Sequence, residues 1–487
     1  MSDFDAFMKE IAAATATATV TPVTPVTPVT PVTPVIQEAL EAKEAKEPKE
    51  AKEPKEPKEP NAATATQESK ESQKSHKRIK LLLVTTHVNQ VNGYSKVAYH
   101  LLKELAALPW LDLTLFGTQR LPADLGRLLP TVRLIDASAL EKDKSQSAGG
   151  FAFAELPTTI QTVQPDIVLF YNDLSVIATY LDAIRKVIEH RTFRTWAYVD
   201  VTYPYPPTPL LDTLNRDVER LFVFTKGWKE HLKTLGATRP IDVLPHAVDS
   251  SIYRPIPKEL ARQTLGLPKD VFLFTSLNKN IPRKRLDLLV MAFTELIVRH
   301  PTKPLFLLIV ADKGDRGGYP LFDIFARELK HHQASVDHFG NRLLVTSKDT
   351  CYKDEDINLL YNCGDVGVSC AEAEGFGLCT LEQMSLGIPQ IVSDVQGYRE
   401  YCRPDHAILV PTPTRYYLPQ AYQSVMGMAH APLPKDVATA METYVFQEEK
   451  RQLHGQRGKE VATAYTWSKA AQPLIKRLEA VRDEEDD

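Results

Sequence analysis

Residues 371–390 read AEAEGFGLCTLEQMSLGIPQ: the end of a strand, a glycine-spaced turn, then the start of a helix. The preceding VGVSCAE has strand character, and Gly375 and Gly377 let the backbone pass close to a ligand. The helix that opens at Leu378 presents unpaired N–H groups at its amino end. Glu374 sits on the turn and Glu382 about one turn into the helix, so both carboxylates can face a crevice and accept hydrogen bonds from hydroxyl pairs. Held against phosphate alone a carboxylate is repelled, which makes hydroxyls the better partners. The helix macrodipole favours acids at a first turn and accounts for either glutamate taken singly.

Outward from this stretch the chain alternates between apolar strand-length runs and helical periodicity. Towards the amino end, IKLLLVTTHV is a strand followed by the helical YSKVAYHLLKELAAL, in which Val97, Leu101, Leu102 and Leu105 share a face. Further strands are expected at WLDLTLFG, TVRLIDA, PDIVLFYND, RTWAYVDV, RLFVFTK and IDVLPHAV, with helices at LSVIATYLDAIRKVIE and GWKEHLKTLG. DSSIYRPIPKELARQTLGLPKD interrupts this rhythm, and VFLFTSLNK restarts it. Near-continuous apolar strands alternating with helices indicate parallel sheets covered on both faces. The fold class is therefore α/β: two Rossmann-like, doubly wound domains in series, 78–250 and 251–450, with C-terminal helices over 451–487 and binding sites at the carboxyl ends of strands.

Residues 15–36 and 41–60 are Thr-Pro-Val and Lys-Glu-Pro repeats with little to bury, so 1–77 is expected to be a disordered tail. A solvated spacer is the plain reading, and a partner-docking arm using the Thr-Pro sites is the alternative. The 58 Lys+Arg against 62 Asp+Glu give a net charge of -4, which offers no global field for nucleic acid. Cys351, Cys363, Cys370, Cys379 and Cys402 lack C-x-x-C spacing, so neither a zinc site nor a disulfide framework is indicated. With no signal peptide and no run of about 18 apolar residues, a cytoplasmic protein without a transmembrane segment is expected, leaving peripheral membrane contact open.

The segment EGFGLCTLEQMSLGIPQIVSDVQGYRE resembles the C-terminal signature of glycosyltransferase family 4, which has the GT-B fold of two Rossmann-like domains facing a cleft. Its Glu-x7-Glu falls on Glu374 and Glu382. LNKNIPRKRLDLLVMAF is similar to the family's phosphate-binding segment, VLPHAVD to the end of its N-terminal domain, and YTWSKAA to its terminal helix, which crosses back to that domain. Together these pieces cover most of residues 78–480. The resemblance implies a retaining, metal-independent transfer of a hexose from a UDP- or GDP-sugar to a glycan, protein or lipid-linked acceptor, with no cofactor.

On the same resemblance Glu382 binds the ribose hydroxyls, and Glu374 with the amides of Gly375, Phe376 and Gly377 holds the transferred sugar. The amides of Leu378, Cys379 and Thr380 face the diphosphate, and Arg283 and Lys284, opening a helix after VFLFTSLNK, neutralise the leaving group. In HVNQVNGYSK the family's glycine pair is reduced to Gly93 after Asn92, and Gly93 lets an N–H approach the donor phosphate. Asp200, ending RTWAYVD, is placed to reach acceptor or sugar, or to cap a turn. His246 is read as a packed hinge residue or a catalytic group.

Four other classes compete. A metal-dependent transferase would use carboxylates such as Asp354, Glu355 and Asp356, but this DED run opens a helical pattern where acids act as caps. A dinucleotide oxidoreductase lacks its G-x-G-x-x-G, and the GDRGGY loop has the wrong spacing. A sugar-nucleotide epimerase or a non-catalytic carbohydrate- or nucleotide-binding protein of the same fold would bind a donor similarly.

Overall fold

The computed structural model describes residues 78–486, apart from 123, 128, 142–148, 312–317, 347–351 and 419–426. The tail 1–77 with its repeats, Cys351 and most of the GDRGGY loop lie outside the described residues.

Two parallel sheets follow one another along the chain. The first has β1 (Ile79–Thr86), β2 (Leu111–Thr118), β3 (Arg133–Asp136), β4 (Ile167–Asp173), β5 (Arg194–Asp200), β6 (Arg220–Val223) and β7 (Ile241–Val243), in the order β3-β2-β1-β4-β5-β6-β7. The second has β8 (Phe272–Leu277), β9 (Leu305–Val310), β10 (Leu343–Val345), β11 (Val366–Ser369), β12 (Gln390–Ser393) and β13 (Ile408–Val410), in the order β10-β9-β8-β11-β12-β13. Strand order reverses between β1 and β4 and again between β8 and β11. The crevices at such switch points are where open α/β sheets bind ligands. The segments following β1, β4, β8 and β11 carry the candidate site.

The helices used below are α1 (Gly93–Leu105), α2 (Leu174–Val187), α3 (Leu286–Arg299), α4 (Asp354–Asn362), α5 (Leu378–Ser385), α6 (Pro434–Phe446), α7 (Glu448–Ala462) and α8 (Gln472–Asp486). The Asn92 side chain caps α1 by accepting from the Ser95 amide at 2.9 Å, and Val97, Ala98, Leu101, Leu102 and Leu105 are buried along one face. Helix α3 is buried almost all round, with Leu286, Leu289, Val290, Phe293, Leu296 and Ile297 at most 1% exposed. Burying each such large side chain stabilises the fold by about 1.5–3 kcal/mol. One apolar core runs from Leu83 and Leu101 through Leu244, Tyr253 and Phe376 to Leu381 and Trp467, so the two sheets share packing.

Three details differ from the sequence expectation. Arg283 and Lys284 do not open α3: they lie in a 3-10 turn, Pro282–Lys284, and Arg285 in a left-handed conformation (φ 47°) precedes the helix. Proline starts the short turn and the left-handed residue redirects the chain, which frees both cations from the helix axis. An antiparallel hairpin of β14 (Thr414–Tyr417) and β15 (Met428–Ala431), absent from the strand pattern, follows β13. Residues 450 and 451 sit inside α7, which lies on α5 because Gly455 and Gly458 leave no side chain against Gly387 and Met384. The return to the first sheet comes later: Val248 bridges to Thr466, Trp467 stacks on His100 at 4.9 Å, and Arg477 of α8 binds Asp242 at 2.9 Å. Among the described residues no helix is long and apolar enough to cross a membrane.

Candidate active site

The turn after β11 is built so that only glycine fits. Gly377 has φ +91°, and a Cβ there would strike the rings of Tyr398 and Tyr401. At Gly375 a Cβ would collide with the Asp200 carboxylate, reaching over from the carboxyl end of β5. Trp228 donates its indole N–H to the Gly375 carbonyl at 2.9 Å, and the Tyr401 hydroxyl donates to the Gly377 carbonyl at 2.7 Å. The turn is thus clamped from both sides. Of the three amides expected at a diphosphate, that of Thr380 already donates to the Gly377 carbonyl at 3.1 Å. A helix's first turn leaves amides such as those of Leu378 and Cys379 without an intrahelical acceptor. Phe376 turns its ring inward, 4.8 Å from His246 and 5.2 Å from Tyr401.

Glu374 is 8% exposed, and both cations of the 3-10 turn reach it. Arg283 donates to Oε2 at 2.6 Å, and Lys284 contacts Oε2 at 2.8 Å and Oε1 at 3.1 Å. Burial opposes ionisation of Glu374, yet Lys284 and Arg283 hold its carboxyl below the usual range. The three groups carry one positive charge in surplus beside the amino end of α5, a setting that favours an anion.

Glu382, 1% exposed, faces the other way along the same helix. Its Oε1 receives Lys96 at 2.8 Å and its Oε2 the Tyr361 hydroxyl at 2.9 Å. Lys96 comes from α1, and it also donates to Tyr253 at 2.6 Å and lies 3.3 Å from Asp354, which Arg127 holds at 3.0 Å. Burial raises the Glu382 carboxyl above its usual range, with Lys96 opposing. Asp354 is therefore engaged by cations, and Asp356 accepts from the Lys353 amide at 3.1 Å as a helix cap. Among the described residues no cluster of three or more His, Cys, Asp or Glu side chains has a metal-holding arrangement.

Asp200 ends β5 beside Gly375 and accepts from Tyr94 at 2.8 Å and from Thr202 at 3.2 Å. His246 sits among Tyr171, Tyr198, Phe224 and Phe376, and burial drives its pKa down to about 3. Burial thus favours the uncharged imidazole, whose Nε2 lies 3.5 Å from the Tyr171 hydroxyl. Gly93 opens α1 with nothing within 4 Å of where a Cβ would stand, so sterics do not require glycine there.

Sequence reasoning missed several neighbours. Lys96 stands in the first turn of a helix, where the macrodipole disfavours cations. That anomaly was the readable signal. Glu372, 3% exposed, binds the hydroxyls of Tyr203 (2.8 Å) and Tyr416 and the Arg285 guanidinium (3.3 Å), tying the β14–β15 hairpin to the first sheet's loop. Its only sequence trace is the doubled glutamate of AEAEG.

Two Rossmann-like sheets with this anion-ready turn between them define the GT-B class of fold. Residues 268–420 match the family model described as Glycosyl transferases group 1. The D-inositol 3-phosphate glycosyltransferase of Rhodococcus erythropolis is 28% identical over 184 residues, 37% of this chain and 39% of that protein. The D-inositol 3-phosphate glycosyltransferase 2 of Catenulispora acidiphila is 29% identical over 184 residues, 37% of this chain and 41% of its own length. The chain thus spans about two fifths of the length of these curated relatives. Sucrose-phosphate synthase from Thermosynechococcus elongatus has a similar fold, with TM-score 0.64 at 16% identity, covering 83% of this chain and 99% of that one. Anabaena HepE, solved with UDP and glucose, gives TM-score 0.61 at 14% identity, covering 83% and 100%.

Proposed function

We propose that the protein is a retaining glycosyltransferase that moves a hexose from a UDP- or GDP-sugar to a hydroxyl of a glycan, protein or lipid-linked acceptor, without a metal ion. The observation that carries this reading is the convergence of Arg283 and Lys284 on Glu374 beside the amino end of α5. A cation about 4 Å from one phosphate charge gains roughly 4 kcal/mol at an effective dielectric near 20, before desolvation. A helix terminus gives about 0.3–1 kcal/mol. Two cations with the free amides of α5 therefore suit a departing diphosphate far better than amides alone.

In this reading Glu374, already oriented by the two cations, accepts hydrogen bonds from the transferred sugar, and Glu382 reads the ribose. As the anomeric bond breaks, charge develops on the diphosphate, where Arg283 and Lys284 stabilise it, while the oxocarbenium-like sugar is attacked on the same face. The family match and the UDP-containing neighbour support the donor class. Screening UDP- and GDP-sugars for thermal stabilisation, then analysing products with and without acceptor, tests the reading. Transfer products that need an acceptor are expected. An isomerised nucleotide-sugar formed without acceptor would replace it with epimerisation.

A further inference from the structure

We propose that Asp200 is the base that takes the proton of the attacking acceptor hydroxyl, and that a protonated Asp173, acting through the Tyr94 hydroxyl, holds it in place. The inference rests on the glycosyl-transfer reading and goes beyond it by assigning the path of the acceptor's proton.

The geometry counts the protons. Asp173 and Asp200 are register partners at the carboxyl ends of adjacent strands β4 and β5. The Tyr94 hydroxyl lies 2.9 Å from Oδ1 of Asp173 and 2.8 Å from Oδ2 of Asp200. A phenol has one proton to give. The second oxygen–oxygen contact therefore needs a proton from the other side, on a carboxyl group. Burial raises both carboxyls, but Asp200 has the better claim to the negative charge, because it also accepts from Thr202 at 3.2 Å and Arg283 opposes the rise more strongly there than at Asp173. The chain then runs from the Asp173 O–H to the Tyr94 oxygen, and from the Tyr94 O–H to the Asp200 carboxylate. Burial and the Asp200 charge together push Asp173 up to about 7, which agrees with this order.

Groups from both sheets surround the pair. Tyr94 from α1, Tyr171 from β4, Tyr198 from β5, and Arg283 and Glu374 from the second sheet's loops are the titratable or charged groups facing it. Asp200 fills the space that a side chain at position 375 would need, beside the turn proposed to hold the sugar. In the transfer step the bond from acceptor oxygen to anomeric carbon forms and the bond from that carbon to phosphate oxygen breaks. The bonding pair leaves on the diphosphate and the hydroxyl proton passes to Asp200. Solvent recovers that proton after product release. Asp200 is thus a catalytic residue, and Tyr94 and Asp173 are positioning residues.

The test combines a pH profile with a spectroscopic readout. With a UDP-sugar and acceptor, wild-type kcat/KM should fall about tenfold between pH 6 and pH 8, as a group titrating near 7 loses its proton. Asp173→Asn, which mimics the protonated acid, should lower activity yet abolish that fall. Asp200→Asn should reduce transfer at least about 100-fold while nucleotide-sugar still stabilises the protein thermally. Infrared difference spectra at pH 6 should show a protonated carboxyl that titrates near 7 and is missing in Asp173→Asn, whatever the turnover. An unchanged pH profile in Asp173→Asn, near-wild-type transfer by Asp200→Asn, or no such carboxyl would overturn the proposal. Failure of every nucleotide-sugar to bind or react in wild type sinks the glycosyl-transfer reading and the base role together, and the infrared signal still decides the shared proton.

Discussion

The ammonium of Lys96 lies 2.8 Å from Oε1 of Glu382, joining the first helix of one sheet to the glycine-turn helix of the other. Their side chains are 13% and 1% exposed, so the charges are far less screened than a surface pair. Removing one partner of a buried ion pair leaves the other charge uncompensated, which typically costs about 3–5 kcal/mol. Tyr361 still donates to Glu382, which places Lys96→Met near the lower end, at about 3 kcal/mol in urea unfolding. Adding Glu382→Gln should return more than half of the loss. A cost below about 0.5 kcal/mol for Lys96→Met would show that the link contributes little.

Glycines 377 and 93 should behave oppositely. Gly377→Ala forces a side chain into a left-handed backbone and against Tyr398, and should destabilise by at least about 2 kcal/mol. Gly93→Ala enters open space at a helix start and should stay within about 0.5 kcal/mol of wild type. Melting temperatures of the two variants decide the point, and equal shifts would contradict the geometry of the turn.

His246 predicts an acid weakness. Its folded pKa of about 3 is below the unfolded value of 6.5, so its contribution to stability is complete above pH 6.5 and is lost as pH falls towards 3. His246→Phe removes the titration. The stability of wild type relative to this variant should therefore drop by about 2 kcal/mol between pH 7 and pH 4.5, measured by urea unfolding at both. A constant difference would mean that the imidazole is protonated without cost.

The two parallel sheets were legible because short apolar runs such as IVLFYND and FLFTSL, alternating with helical patterns, suit strands buried on both faces, and the glycine spacing around Glu374 marked the turn. Arg283 and Lys284 were legible as cations following β8, although they occupy a 3-10 turn and not the helix start that the sequence suggested. Lys96 does stand in a helix's first turn but was hidden by the departure from the glycine pair at Asn92, which serves as a helix cap. Asp173 could not be read, since its meaning depends on a neighbouring strand and on a tyrosine 79 positions away. The hairpin's strands are four residues each, too short and too polar in TRYY to show a period.

The proposed donor-cleaving role of Arg283, Lys284 and Glu374 is tested by nucleotide-sugar cleavage by wild type, Lys284→Ala and Glu374→Gln, with folding checked by circular dichroism. Losing one preorganised electrostatic contact to a transition state costs about 100- to 1,000-fold. Wild type should cleave the donor, and each folded variant should fall at least about 100-fold. Cleavage at wild-type rates by both variants, or no cleavage of any UDP- or GDP-sugar by wild type, would contradict that role.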